Sequence, residues 1–320
     1  MVIKSTSDIF CEIISLLWTL RICGVIQFTL HGKKCDRDIR LSKLQISYGI
    51  LIFIVRNICF IYTWYFIFKN FDSYPYVAKL TSPFTAGMNI ISAIIMALNL
   101  VTYTEMPFIF KKLIQFDKKV KKTKSHNSRT YGELFIHIGL SIFLIVLFMK
   151  AACDFKLGAI SGIMYVFNNF IDKNVAFLLD MYMINIVVMI KKRFGIINYF
   201  LEEMVNNFEF INSNHVKQKI RKFRIAKFEC IRDLMAWHNL LCDTVNLTNS
   251  FFSVRILLCV LLKFLFLCAH GHFFITAKII DHSKIDFKFT FFVSSFIICF
   301  CLFPLVKLVS SCSSTAYKVR

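Results

Sequence analysis

Six apolar runs punctuate the chain, at 46–68, 83–103, 134–152, 175–190, 251–275 and 289–309. Crossing a bilayer takes about 20 mostly apolar residues in a helix, and these runs predict six spans. The fourth is firm only over 175–190, where it ends on Lys191-Lys192-Arg193; residues 153–173 are mixed and leave its start open. The polar stretches between the runs keep a helical period. Over 108–124, Leu113, Phe116 and Val120 share one side and a lysine run (111, 112, 118, 119, 121, 122, 124) the other, which reads as a solvated, lipid-facing surface. Ile197, Leu201, Met204, Phe208 and Ile211 recur likewise, and after Asn212-Ser-Asn214 so do Val216, Ile220, Phe223, Ile231 and Leu234. Two amphipathic helices follow from this spacing. The second runs into Trp237–Ile275 with neither Pro nor Gly at the join, so one helix is expected to pass from water straight into lipid.

The N-terminal segment is less simple. Phe10–Leu30 is apolar but carries Glu12 and Arg21, and no small-residue cleavage site follows it. A signal peptide is therefore not expected. An amphipathic helix lying against the inner leaflet accommodates those charges better than a span does. Segments 31–43, 104–131 and 191–249 hold 5, 8 and 10 Lys or Arg, against 1 and 3 in 69–77 and 276–288. Cytoplasmic loops carry the basic excess, which puts the first three segments and both termini in the cytosol. The expected organisation is a cytosolic 1–44 with the interfacial helix, a six-helix bundle over 45–309 with cytoplasmic helical loops 104–131 and 191–249, and a cytosolic 310–320.

Composition sharpens the class to an all-α polytopic membrane protein. The chain is 57% hydrophobic, with 37 Phe but only 10 Gly and 4 Pro, too apolar for a soluble surface and too poor in turn formers for a loop-rich fold,. The net charge of +20 would suggest nucleic acid in a soluble chain; here the basic residues flank apolar runs, where they set orientation and meet lipid headgroups,. Nucleic acid is not an expected partner, and membrane lipid is. Twelve Cys stand singly, without a second ligand pair at zinc-site spacing, so no metal and no cofactor are expected,. HExxH, Gly-rich phosphate-loop and GxSxG motifs are absent, and no enzymatic activity is expected,.

Ionisable residues inside spans are the chemistry that stands out, because hydrocarbon penalises them unless they meet a partner or water. Arg56 and Asp180 both lie near mid-depth. A structural ion pair and the polar floor of a pocket remain open for them, and both readings require their spans to be neighbours. Lys263 is too deep for easy snorkelling, whereas Arg255, eight residues earlier, sits near the cytosolic end,. His270-Gly-His272 could ligate a metal or bond a ligand, though such pairs more often mark the interface. Asn246-Leu-Thr248 matches a glycosylation acceptor that a cytosolic location would silence.

His238, Leu240, Leu241, Cys242, Asp243, Asn249, Phe252, Leu257-Leu258 and Phe264 together resemble a motif of the insect gustatory receptor family. Met189–Asn198 and Val309–Ala316, with Cys312, resemble two further stretches of it. The resemblance implies seven spans, a cytosolic N-terminus, a plasma-membrane location in a chemosensory neuron, and homo- or hetero-tetramers that form ligand-gated cation channels. It also implies a tastant site in the outer half of the bundle, where orientation singles out Tyr62, Tyr65, Asn89, Asn169, His270 and Phe273. The family's pore-lining seventh span carries T-Y-x5-Q-F, which is not found before Arg320, so the expectation is a chain that stops short of the pore helix. A rhodopsin-like G-protein-coupled receptor with an outside N-terminus is the chief rival, although D/E-R-Y and N-P-x-x-Y are missing. A transporter ranks below it, since neither self-similar halves nor Gly/Pro-broken helices are evident.

Overall fold

The computed structural model describes residues 17–31, 38–70, 76–120, 159–212 and 217–280, together with 306, 309, 310 and 313. Six helices and one hairpin make up these segments: α1 (17–22), β1 (Phe28–His31), β2 (Asp38–Leu41), α2 (Lys43–Lys69), α3 (Tyr76–Val101), α4 (Glu105–Val120), α5 (Ala159–Asn212) and α6 (Lys217–Ile280). Four helical stretches are long and apolar enough to cross a membrane: Lys43–Lys69, Pro83–Val101, Ile160–Val205 and Ile231–Ala269. The all-α polytopic class is borne out. The runs 134–152 and 289–309 lie outside the described residues, apart from 306 and 309.

Local chemistry sets the helix ends. Ser42 caps α2 by accepting the Gln45 N–H at 3.3 Å, and Lys69 stands in its last turn, where a cation offsets the helix dipole,. α3 ends because Thr102 turns its hydroxyl back to the Leu98 carbonyl at 2.7 Å, and α4 restarts with Glu105 in its first turn,. The expected second span and lysine-bearing helix are thus separated only by a turn.

The N-terminal expectation needs correction. The apolar run continues to Leu30, but the helix stops at Ile22. Gly24 takes a left-handed φ of 70°, the Val25 N–H reaches the Leu20 carbonyl at 2.8 Å, and the Gly24 N–H reaches Arg21 at 2.9 Å. This paired closure is the Schellman arrangement, which only a residue free of Cβ strain enters easily. The chain then forms the antiparallel hairpin, with Phe28 opposite Leu41 and His31 opposite Asp38. Gly24 packs on Gly49 so closely that a Cβ at 49 would lie 2.9 Å from the Gly24 carbonyl. Tyr48 donates to the Ile22 carbonyl at 2.8 Å, and burial pushes the Cys23 thiol up to about 11,.

A second difference concerns length. The fourth span and the amphipathic stretch after it form one helix, α5, of 54 residues; α6 runs unbroken for 64. At ~1.5 Å per residue these are roughly 80 and 96 Å long, far beyond a ~30 Å hydrocarbon core. α6 packs most extensively on α3 and also on α4 and α5, while α2 packs on α5. Lys112, Lys118, Lys119, Lys191, Lys192 and Arg193 gather where α4, α5 and α6 project from the bundle, the basic end.

Candidate functional site

Arg56 is fully buried between α2, α3 and α5. Its Nε donates to Asp172 Oδ1 and its Nη2 to Oδ2, both at 2.9 Å, while Nη2 also reaches the Asn89 carbonyl. Nη1 donates to Asn57 Oδ1 at 3.2 Å, and the Ser92 hydroxyl adds a 2.7 Å bond to Asp172 Oδ1. A planar guanidinium gripping a carboxylate through two parallel bonds is the strong geometry for such a pair, and the added donor satisfies further lone pairs. Asn168 extends the cluster by donating to Asn89 Oδ1 at 2.6 Å, and Asn89 in turn donates to the Thr85 carbonyl at 2.9 Å.

Asp180 does not join this cluster. Its partner is Lys263, across the α5–α6 interface, with both side chains nearly out of solvent. The expected neighbours Arg56 and Asp180 therefore belong to two separate ion pairs. Helix register gives the reason: Asp172 and Asp180 are eight residues apart, about 12 Å along α5, so one acid meets α2 and the other α6. Sequence reading passed over Asp172 because it lies in the mixed stretch before the fourth span. The available signal was Asn168 and Asp172 at i, i+4, which places two polar groups on one face of a helix.

A third polar centre ties α6 to the end of α3. Arg255 donates through Nε to Asn99 Oδ1 at 2.8 Å and through Nη2 to the Leu98 carbonyl at 3.1 Å, and it also bonds Thr102 Oγ1 and the Phe251 carbonyl. Its guanidinium lies 3.8 Å from the Phe251 ring centroid. A cation on the last carbonyls of a helix complements its dipole, so Arg255 acts as an end cap for α3 supplied by another helix.

The basic end is built differently. Trp237 of α6 packs edge-on between Phe116 of α4 and Phe200 of α5, with centroids at 6.4 and 5.7 Å, and His238 lies against Phe194 at 5.8 Å. Arg193 grips Asp117 through two bonds of 3.0 and 2.6 Å; Lys112 meets Asp243 at 3.1 Å. α4 runs antiparallel beside α6, with Lys112 at Asp243 and Phe116 at Trp237.

The motif residues divide by face. Leu241 and Phe252 are core, and His238, Asp243, Asn249 and Phe264 are exposed; between them Thr244 and Thr248, outside the motif, turn their hydroxyls onto carbonyls of α6. Cys242 Sγ lies 3.6 Å from His238 Nδ1. Cys312 lies outside the described residues. The Asn246 acceptor sits on an unbroken helix with its Thr248 hydroxyl already engaged. Of the residues expected around a ligand, Tyr62 and Tyr65 are 41% and 65% exposed on α2, and Asn89 is in the Arg56 cluster. Asn169, His270 and Phe273 lie on α5 and α6, but their side chains are outside the description. His272 rests against Phe84 of α3 at 6.4 Å. Among the described residues no group of three or more His, Cys, Asp or Glu could hold a metal ion.

Spanning helices joined by buried polar clusters, two of them charge-balanced, are suited to recognising a small molecule or switching between packings. The family model of the 7tm Chemosensory receptor matches residues 13–320. The chain belongs to that family. No curated protein matches it. As a chemosensory receptor it is a multi-pass membrane protein, and the resemblance read from the His238–Phe264 motif stands. The Arg56, Lys263 and Arg255 centres are thus internal fastenings of a receptor bundle.

Proposed function

We propose that this chain is a gustatory receptor subunit that binds a small-molecule tastant among its spans and gates a cation conductance, in a tetramer with copies of itself or other receptor subunits. The observation that carries the proposal is the family match over nearly the whole length. In this reading the basic end is cytosolic in a chemosensory neuron, and the opposite end of the bundle receives the tastant. Tyr62, Tyr65, Asn89, Asn169, His270 and Phe273 form its candidate lining.

The test is expression of the chain, alone and with other receptor subunits, under current recording with sugars, alkaloids and carbon dioxide. A cation current that persists when G proteins are blocked with GDPβS supports the proposal, with alanine at Asn89 and His270 lowering sensitivity while surface expression holds. A response abolished by GDPβS, together with surface labelling of an N-terminal tag on intact cells, moves the protein to the G-protein-coupled class. Silence in every combination rejects the receptor reading.

A further inference from the structure

α1 is apolar on both of its sides. Leu17, Leu20 and Cys23 face inward and are buried in the core. Trp18 and Ile22 stand one turn apart on the other side, 59% and 65% exposed. A short helix at a water surface turns polar residues outward. An outward apolar pair marks contact with lipid or with another protein instead.

Depth decides between the two. Tyr48 of α2 donates to the Ile22 carbonyl at 2.8 Å. Gly24 packs on Gly49, and a Cβ placed on it would lie 3.3 Å from Ile52 Cβ. The end of α1 is thus level with Gly49 and Ile52, which lie three and six residues into the apolar run 46–68. At ~1.5 Å per residue that is about 5–9 Å inside the run. An interfacial apolar face enters the boundary of headgroups and acyl chains by about 5–10 Å, which is the same depth. At this level α2 itself turns Ile50, Leu51 and Ile54 outward, so the Trp18–Ile22 face continues a lipid-facing wall. Phe28 meets Phe110 of α4 at 5.8 Å, which puts the hairpin on the side of the bundle where the basic end begins.

Charge names the group that meets this face. The Arg21 guanidinium lies 5.6 Å from the Trp18 ring centroid and spends one donor, Nη2, on the Phe28 carbonyl at 3.0 Å. Its Nε is buried without an acceptor, and among the described residues no carboxylate pairs with it. Lys43 is exposed at the start of α2, whose first turn holds no acid. A half-buried cation needs a counter-charge, and at headgroup depth phosphate supplies one. A tryptophan beside it suits the same layer, where amphipathic rings collect. We propose that α1 and the hairpin form a phospholipid-binding foot in the leaflet nearer the basic end, with Trp18 and Ile22 in the headgroup–acyl boundary and Arg21 bonded to a lipid phosphate. This rests on α2 spanning the bilayer and not on the tastant reading.

The test places the full chain in nanodiscs of phosphatidylcholine brominated either near the headgroup or near the bilayer centre. Trp18 emission is the difference between the unaltered chain and Trp18→Phe. It should fall by at least half with shallow bromine and by less with deep bromine. Trp18 emission unquenched by either lipid overturns the proposal, because a second copy or another segment of the chain then covers the face. Stronger quenching by deep bromine overturns it too, since Arg21 would then lie below the phosphates. A second arm replaces part of the phosphatidylcholine with phosphatidylglycerol, which should raise the unfolding midpoint, whereas inorganic phosphate should not. Arg21→Gln should lose at least half of that rise, and Lys119→Gln, exposed on α4, should keep nearly all of it. A rise retained in full by Arg21→Gln, or reproduced by inorganic phosphate, overturns the phosphate assignment. The quenching is read on the unaltered chain and decides the foot even where Arg21→Gln fails to fold.

Discussion

The spanning bundle and the projecting basic end are held together by different balances of charge and aromatic packing. In the bundle the contacts between distant segments are directional and charged: Arg56 with Asp172, Lys263 with Asp180, Arg255 with Asn99. At the basic end the centre is aromatic, with Trp237 between Phe116 and Phe200; one two-bonded pair, Arg193 with Asp117, lies beside it, and the pair of Lys112 and Asp243 lies at the rim. A soluble protein teaches one to expect charge outside and aromatics inside. Lipid inverts this, because tails are as apolar as Leu and exert no hydrophobic pressure between helices; packing and internal hydrogen bonds must specify which helix meets which. Where α4, α5 and α6 leave the bundle, water restores that pressure and aromatic burial can do the joining.

Removing one charge from a bundle pair is therefore expected to have the largest effect. Lys263→Met strands a buried Asp180 and should cost about 3–5 kcal/mol, read as a lowered unfolding midpoint or lost surface expression. Adding Asp180→Leu should recover most of that loss, since two apolar groups need no counter-charge. A double variant as damaged as the single would show that the pair does more than neutralise itself. At the basic end Trp237→Ala should cost roughly 2–4 kcal/mol through lost packing on Phe116 and Phe200. Its distinguishing mark is indifference to ionic strength.

Tyr182 sits where the two regions join and tests the boundary. It is wholly buried, flanked by Phe110 and Phe252 with both ring centroids at 5.9 Å, and its hydroxyl has no partner. An apolar join gains from losing that group. Tyr182→Phe should leave stability unchanged or raise it by about 1 kcal/mol. A loss of that size instead would mean that the hydroxyl is bonded in the working receptor and that the polar regime of the bundle extends to the junction.

The same contrast explains what could be read from the sequence. Long helices, the unbroken passage through Asn249 into the fifth span and the motif around His238 follow from apolar period and residue identity, which are local properties. The partner of Arg56 is not local. Asp172 lies 116 residues away, and only helix register decides between it and Asp180. The N-terminal segment fails for another reason: one Gly in a left-handed conformation stops α1, although the apolar run continues through Val25, Ile26 and Phe28 and reads as more helix.

The smallest expected effect closes the comparison. Lys112 and Asp243 form an ion pair at 3.1 Å, with side chains 31% and 63% exposed. Its Coulomb attraction acts through a mostly aqueous path, salt screens it, and two mobile side chains lose freedom to hold one geometry. Lys112→Ala should thus change stability by no more than about 0.5 kcal/mol, and less still in high salt. Arg193, gripping Asp117 through two bonds nearer the core, is the internal control and should cost more when truncated,. If Lys112→Ala instead matched Lys263→Met, exposed charge would be fastening the basic end as strongly as buried charge fastens the bundle, and the distinction between the two regions would have to be abandoned.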